Sequence, residues 1–160
     1  MLRAQNQNIS LLMDNPVQLL KNEHLALWGQ LYLLGESSRE AGKETTAVLK
    51  TLLRDSTVHF RREALLFRAL GSELGKGGGS LHPLVAEHCS LKRSAGNLIR
   101  AIILQEGGVS SKQRIGAQVN DFVKQFRSHI DHEETVVFVL AGTRLSFEQQ
   151  KKIAREMLRV

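Results

Sequence analysis

The stretch "QFRSHIDHEETVVFVL", residues 125–140, continues an apolar stripe that runs through Phe122, Phe126, Val136 and Leu140 at helical spacing. His129 and Glu133 interrupt that stripe one turn apart on the same face. An unpaired buried carboxylate costs several kcal/mol, so a helix that buries one must supply it with a partner.

Three further stripes read the same way. The first helix is expected to start near Asn15, with Pro16 at its first position, and to run to about Glu36. Its core face reads Leu20, His24, Leu27, Leu31, Leu34. The second, from about Lys43 to about Ser72, reads Val48, Leu52, Ser56, His59, Glu63, Leu66, Leu70. "GSELGKGGGSLHP" is too glycine-rich to be helical and is expected to connect it to the third helix. The third begins near Pro83, ends before "EGGVSS", and reads Leu84, His88, Leu91, Ala95, Leu98, Ile102. The fourth starts near Ser110 or Ser111, adds Ile115 and Val119 to the opening stripe, and continues to about Gly142. Ser146 and Gln149 have the spacing of a capping box that opens a short fifth helix. No period-2 alternation is present. The expected fold is all-α: an up-down-up-down antiparallel four-helix bundle with a short C-terminal fifth helix. At 160 residues the chain is expected to form one domain, with a bundle core over about 14–142 and a last helix over about 146–158.

Composition narrows the function classes. One cysteine, Cys89, excludes an internal disulfide framework and any cysteine-built metal site, and it favours a reducing, cytoplasmic compartment. "MLRAQNQNISLLMDNP" has no long apolar core and no small-residue cleavage site, so no secretory signal is expected. No run is long and apolar enough to imply a membrane partner. The net charge of +6 is scattered rather than clustered, without aromatic interleaving, so it reads as a solvated surface and no nucleic-acid partner is expected.

Each stripe holds one histidine, and two add a glutamate four residues later. No lysine or arginine lies in the four stripes to pair with the carboxylates. A metal-free hydrogen-bonded His–Glu cluster is the alternative, but every member of such a network must be satisfied. Connection lengths let His24, His59, His88 and His129 meet at one layer, provided the glycine-rich loop runs back along the bundle by roughly 10 Å. Glu63 and Glu133 then lie one turn away. Four imidazoles and two carboxylates suit a pair of metal ions, with a bridging oxide or hydroxide balancing charge. A nitrogen and oxygen shell without thiolate fits two iron ions; zinc or manganese are alternatives. Six ligands shared by two ions leave positions open for a small molecule.

"NEHLALW", "HFRREALLF", "AEHCSL" and "HIDHEE" together resemble the hemerythrin-like, HHE cation-binding domains over about residues 14–158. The resemblance implies a non-haem di-iron centre in which the four histidines are terminal ligands and Glu63 and Glu133 are bridges. Leu84 stands where oxygen-carrying hemerythrins have a further histidine, so the set is closer to the four-histidine, two-glutamate bacterial di-iron proteins of iron–sulfur repair and nitric-oxide or oxygen response. The implied function is binding of, or reaction with, dioxygen, nitric oxide or peroxide, with an electron donor or iron acceptor protein as partner. The alternative is an iron-responsive signalling module without turnover.

Other polar residues carry weaker expectations. Glu134 is read as lying just outside the ligands or at the surface, and His132 as solvent-facing. His82 is read as a loop or capping residue, with a substitute fifth ligand as the alternative. Glu23 and Glu87, each one residue before a stripe histidine, are read as surface charges, with acceptance of a hydrogen bond from a ligand histidine as the other reading. Trp28, Tyr32 and Cys89 are assigned to packing, Cys89 with a minor redox reading.

Overall fold

The computed structural model describes residues 14–39, 42–75, 81–104 and 109–160. Helix α1 spans Pro16–Ser37, and α2 spans Lys43–Leu74. Helix α3 spans His82–Leu104, and α4 spans Val109–His132. A π-helical turn, Glu133–Val137, follows without a break and leads into α5, Phe138–Arg144; α6 spans Phe147–Met157. Among the described residues there is no strand, and no helix is long and apolar enough to cross a membrane.

Local chemistry sets several of these boundaries. The Asn15 side chain accepts from the Gln18 amide at 3.1 Å, and Pro16 fills a first-turn position where no amide proton is needed. Ser146 and Gln149 form the expected capping box at the start of α6. Helix α2 runs through Gly71–Leu74, past the expected stop, and ends at Gly75, whose φ of 53° suits a residue without a side chain. Six of the residues assigned to the glycine-rich connection are therefore helical: Gly71–Leu74 extend α2, whose preceding turns are anchored in the core by Leu70, and His82 and Pro83 open α3. Residues 76–80 of that connection and residues 105–108 lie outside the described set, as does the N-terminal stretch 1–13.

The four long helices form an antiparallel bundle in which α1 packs on α2 and α4, and α3 packs on α2 and α4. Helix α6 lies against α1 and α2. The apolar core divides in two. One cluster includes Leu27, Leu31, Leu49, Leu52, Leu91, Leu98, Val119 and Phe126. The other includes Leu20, Leu66, Leu70, Leu84, Val137, Phe138, Ala141 and Met157. Each fully buried leucine contributes about 1.5–3 kcal/mol, so these two clusters hold the helices in register. Along each helix, the stripe histidine falls at or within one residue of the boundary between the two clusters.

The predicted stripes hold with three adjustments. Val48 is half-buried. Val136 is exposed and Leu140 only half-buried, while Val137, Phe138 and Ala141 are buried in their place. The cause is the π turn, whose i→i+5 bond runs from the Phe138 amide to the Glu133 carbonyl. It admits one extra residue and shifts every later position on the face.

Candidate metal centre

Between the two apolar clusters lies a polar layer of His24 from α1, His59 and Glu63 from α2, His88 from α3, His129 from α4 and Glu133 from the π turn. All six are buried, and the two glutamates are 0% exposed. They fall into two groups of four donors: His24, His59, Glu63, Glu133 and Glu63, His88, His129, Glu133. Within each group the donor atoms lie within 4.8 Å of one another. The two carboxylates belong to both groups.

The individual contacts show how the glutamates divide themselves. Glu63 Oε1 faces His59 Nε2 at 2.7 Å and His24 Nε2 at 3.6 Å, while its Oε2 faces His88 Nε2 at 3.3 Å. Glu133 Oε2 faces His24 Nε2 at 3.4 Å. Its Oε1 faces His88 Nε2 at 3.3 Å and His129 Nε2 at 3.2 Å. Each carboxylate thus offers one oxygen to each pair of imidazoles.

Only part of this proximity is hydrogen bonding: His88 Nε2 pairs with Glu133 Oε1 at 3.3 Å. Both oxygens of Glu63, Oε2 of Glu133 and Nε2 of His129 are buried without a hydrogen-bond partner. Leaving such groups unmade is costly, and more so for charged ones. His24 Nε2 and His59 Nε2 also stand 3.1 Å apart, a separation at which two N–H groups cannot face each other cheaply. A cation that accepts several lone pairs at one point resolves both problems. The donor set, imidazole and carboxylate without thiolate, therefore fits a metal centre.

The outer ring nitrogens are held from behind. His59 Nδ1 lies 2.8 Å from Glu23 Oε2, His129 Nδ1 lies 2.7 Å from Glu87 Oε2, and His24 Nδ1 lies 2.9 Å from Glu134 Oε1. An Nδ1–H donated to each carboxylate leaves Nε2 turned inward as the free donor atom, the arrangement metal-binding histidines require. Glu23 and Glu87 are therefore not idle surface charges, and Glu134 is a direct partner of His24. Each outer glutamate comes from a different element than the histidine it orients.

Without a cation, protons take its place. Burial disfavours charge on His24, but the Glu133 and Glu63 carboxylates facing its Nε2 prevail and push it up to about 9. Burial likewise opposes His59, and the Glu63 charge with the Glu23 bond pushes it up to about 10. His88 is raised for the same reason, its bond to Glu133 and the facing Glu63 carboxylate outweighing burial. Burial raises Glu63 and Glu133, but the surrounding histidines hold both below the usual carboxylate range. Metal entry must displace these protons.

Aromatic rings close the layer. Phe60 stacks on His88 with centroids 3.9 Å apart, and Phe67 flanks the same ring at 5.7 Å. Phe138, brought to the interior by the π turn, stacks on His24 at 5.3 Å. This apolar wall limits water at the inner donor atoms.

The remaining candidates fall outside both groups. His82 is exposed at the first position of α3, and His132 is exposed as expected. Tyr32 and Cys89 are exposed, contrary to their assignment to packing, because each lies off its helix's buried face. Trp28 is half-buried against the core, with the Arg127 guanidinium 5.3 Å from its ring centroid. Sequence reasoning missed Arg62, which bonds Glu23 and the Met157 carbonyl.

Comparison with curated proteins and with solved structures gives no match. The family model of the hemerythrin HHE cation binding domain matches residues 15–141 and so takes in every member of the polar layer. The chain belongs to that family of cation-binding domains.

Proposed function

We propose that this protein is a non-haem di-iron protein that binds or reacts with dioxygen, nitric oxide or peroxide. His24, His59, His88 and His129 would be terminal ligands, and Glu63 and Glu133 would bridge the two ions. One observation carries the reading: both glutamates belong to both donor groups, and three of their four buried oxygens have no hydrogen-bond partner. Bound iron would supply one-electron chemistry and open coordination positions.

The chain's own residues do the rest. Glu23, Glu87 and Glu134 orient three of the imidazoles and raise their basicity. Phe60, Phe67 and Phe138 exclude water from the inner face of the layer. Six protein donors are fewer than two six-coordinate ions require even with two bridges, which leaves room for a small ligand.

The test is elemental analysis of aerobically purified protein, with its visible spectrum before and after nitric oxide. About two irons per chain and a spectral change with nitric oxide are expected. Zinc in both positions, or iron whose spectrum ignores nitric oxide, dioxygen and peroxide alike, would overturn the assignment.

A further inference from the structure

Helix α6 lies outside the four-helix bundle, yet a single side chain ties its end to the polar layer. Arg62, on α2, donates from Nε to the Met157 carbonyl at 3.0 Å, and Met157 is the last residue of α6. From Nη1 the same guanidinium donates to Glu23 Oε1. The other oxygen of Glu23 accepts from His59 Nδ1 at 2.8 Å. The result is an unbroken chain of bonds: α6 terminus, Arg62, Glu23, His59.

Arginine suits this task because its planar fork can serve two acceptors at once while remaining charged. The Met157 carbonyl belongs to the last turn of α6, where helix carbonyls lack partners within the helix and the negative end of the dipole favours a cation. Glu23 needs Arg62 for a different reason. A carboxylate that bonds an imidazole through one oxygen still rotates unless its second oxygen is fixed. Arg62 fixes it.

We infer that Arg62 is a positioning residue that links the docking of α6 to the orientation of His59 through Glu23. Docking of α6 and readiness of the His59 side of the layer then rise and fall together, and by reciprocity a cation held by His59 steadies the end of α6. His129 serves as the internal control. Its Nδ1 is held by Glu87, and position 132, which corresponds to 62 by spacing from the histidine, carries an exposed histidine instead of an arginine.

The experiment uses the full chain, metal-free, with exchange of the imidazole Nδ1–H protons and of the α6 backbone amides followed by NMR. R62A should speed His59 exchange about tenfold or more and leave His129 unchanged. R62K, with a single-point donor, should fall between R62A and the wild type. E23Q should speed exchange in the last turn of α6 when Arg62 is present and have no further effect in R62A, the non-additivity expected of residues acting through one another. Unchanged His59 exchange in R62A, equal acceleration at His59 and His129, or additive E23Q and R62A effects would each overturn the inference.

A second arm rests on the metal reading above: zinc affinity of R62A should fall about tenfold, in the range typical of residues behind metal ligands. A wild-type chain that takes up no zinc or iron would sink that reading, while the exchange cycle would still decide the role of Arg62. An R62A affinity equal to wild type would count against the inference alone.

Discussion

The hairpins α1–α2 and α3–α4 repeat one scheme. In each, a Glu-His pair on the first helix faces a His-x-x-x-Glu on the second: Glu23-His24 with His59 and Glu63, Glu87-His88 with His129 and Glu133. In each, the glutamate of the pair bonds the histidine of the partner helix rather than its own neighbour. The surroundings differ. Arg62 braces Glu23 and joins α6, whereas position 132 is an exposed histidine. Glu134 supports His24, whereas the residue after Glu63 is the exposed Ala64. Among the described residues only the second hairpin contains a π turn, and α6 packs on the first. The inner donors are thus nearly two-fold symmetric, while the groups that support them from outside differ between the hairpins. Two ions held by such a layer would sit in unlike environments despite like ligands.

The largest expected effect tests the shared carboxylates. Glu63→Ala should reduce metal content from the proposed two ions per chain to none, because Glu63 belongs to both donor groups; His129→Ala, which touches only one, should leave about one. Equal losses in the two variants, measured by elemental analysis, would break the proposed division of labour. Next come the outer carboxylates. Glu23→Gln and Glu87→Gln should each lower metal affinity about 10–100-fold, and stepwise titration should assign the losses to different ions.

The pH dependence of the metal-free chain sharpens the comparison further. His24 and His59 are raised from 6.5 to about 9 and about 10 when folded. A folded value above the unfolded one gives stabilisation that is complete below pH about 6.5 and is lost as pH rises through the folded value. Thermal unfolding of the metal-free chain should therefore shift to lower temperature between pH about 7 and 10, and His59→Gln should flatten that fall. A Tm that climbs with pH would contradict it. The smallest effect lies in α6. Ser146→Ala removes its N-cap and should cost about 1 kcal/mol, read as a modest fall in Tm with metal content unchanged.

The helical stripes were legible because a period near 3.6 leaves its mark on any buried helix face. His24, His59, Glu63, His88, His129 and Glu133 stood out against that pattern as polar residues at apolar positions. A constant period places Val136 and Leu140 on the buried face, but the π turn takes in one additional residue and turns them outward. Glu23 and Glu87 were undervalued for another reason. Each lies about 100° from the buried stripe of its own helix, and its importance appears only against the histidine of the next one.

The amino-acid order by itself determined the four amphipathic helices and the identity of the six polar residues buried among them, since both follow from spacing along one chain. Only the tertiary structure decided which carboxylate meets which ring nitrogen, and that Arg62 joins Glu23 to the end of α6. Those contacts depend on the rotation and axial offset of neighbouring helices, which the packing of two apolar clusters sets and no local spacing records.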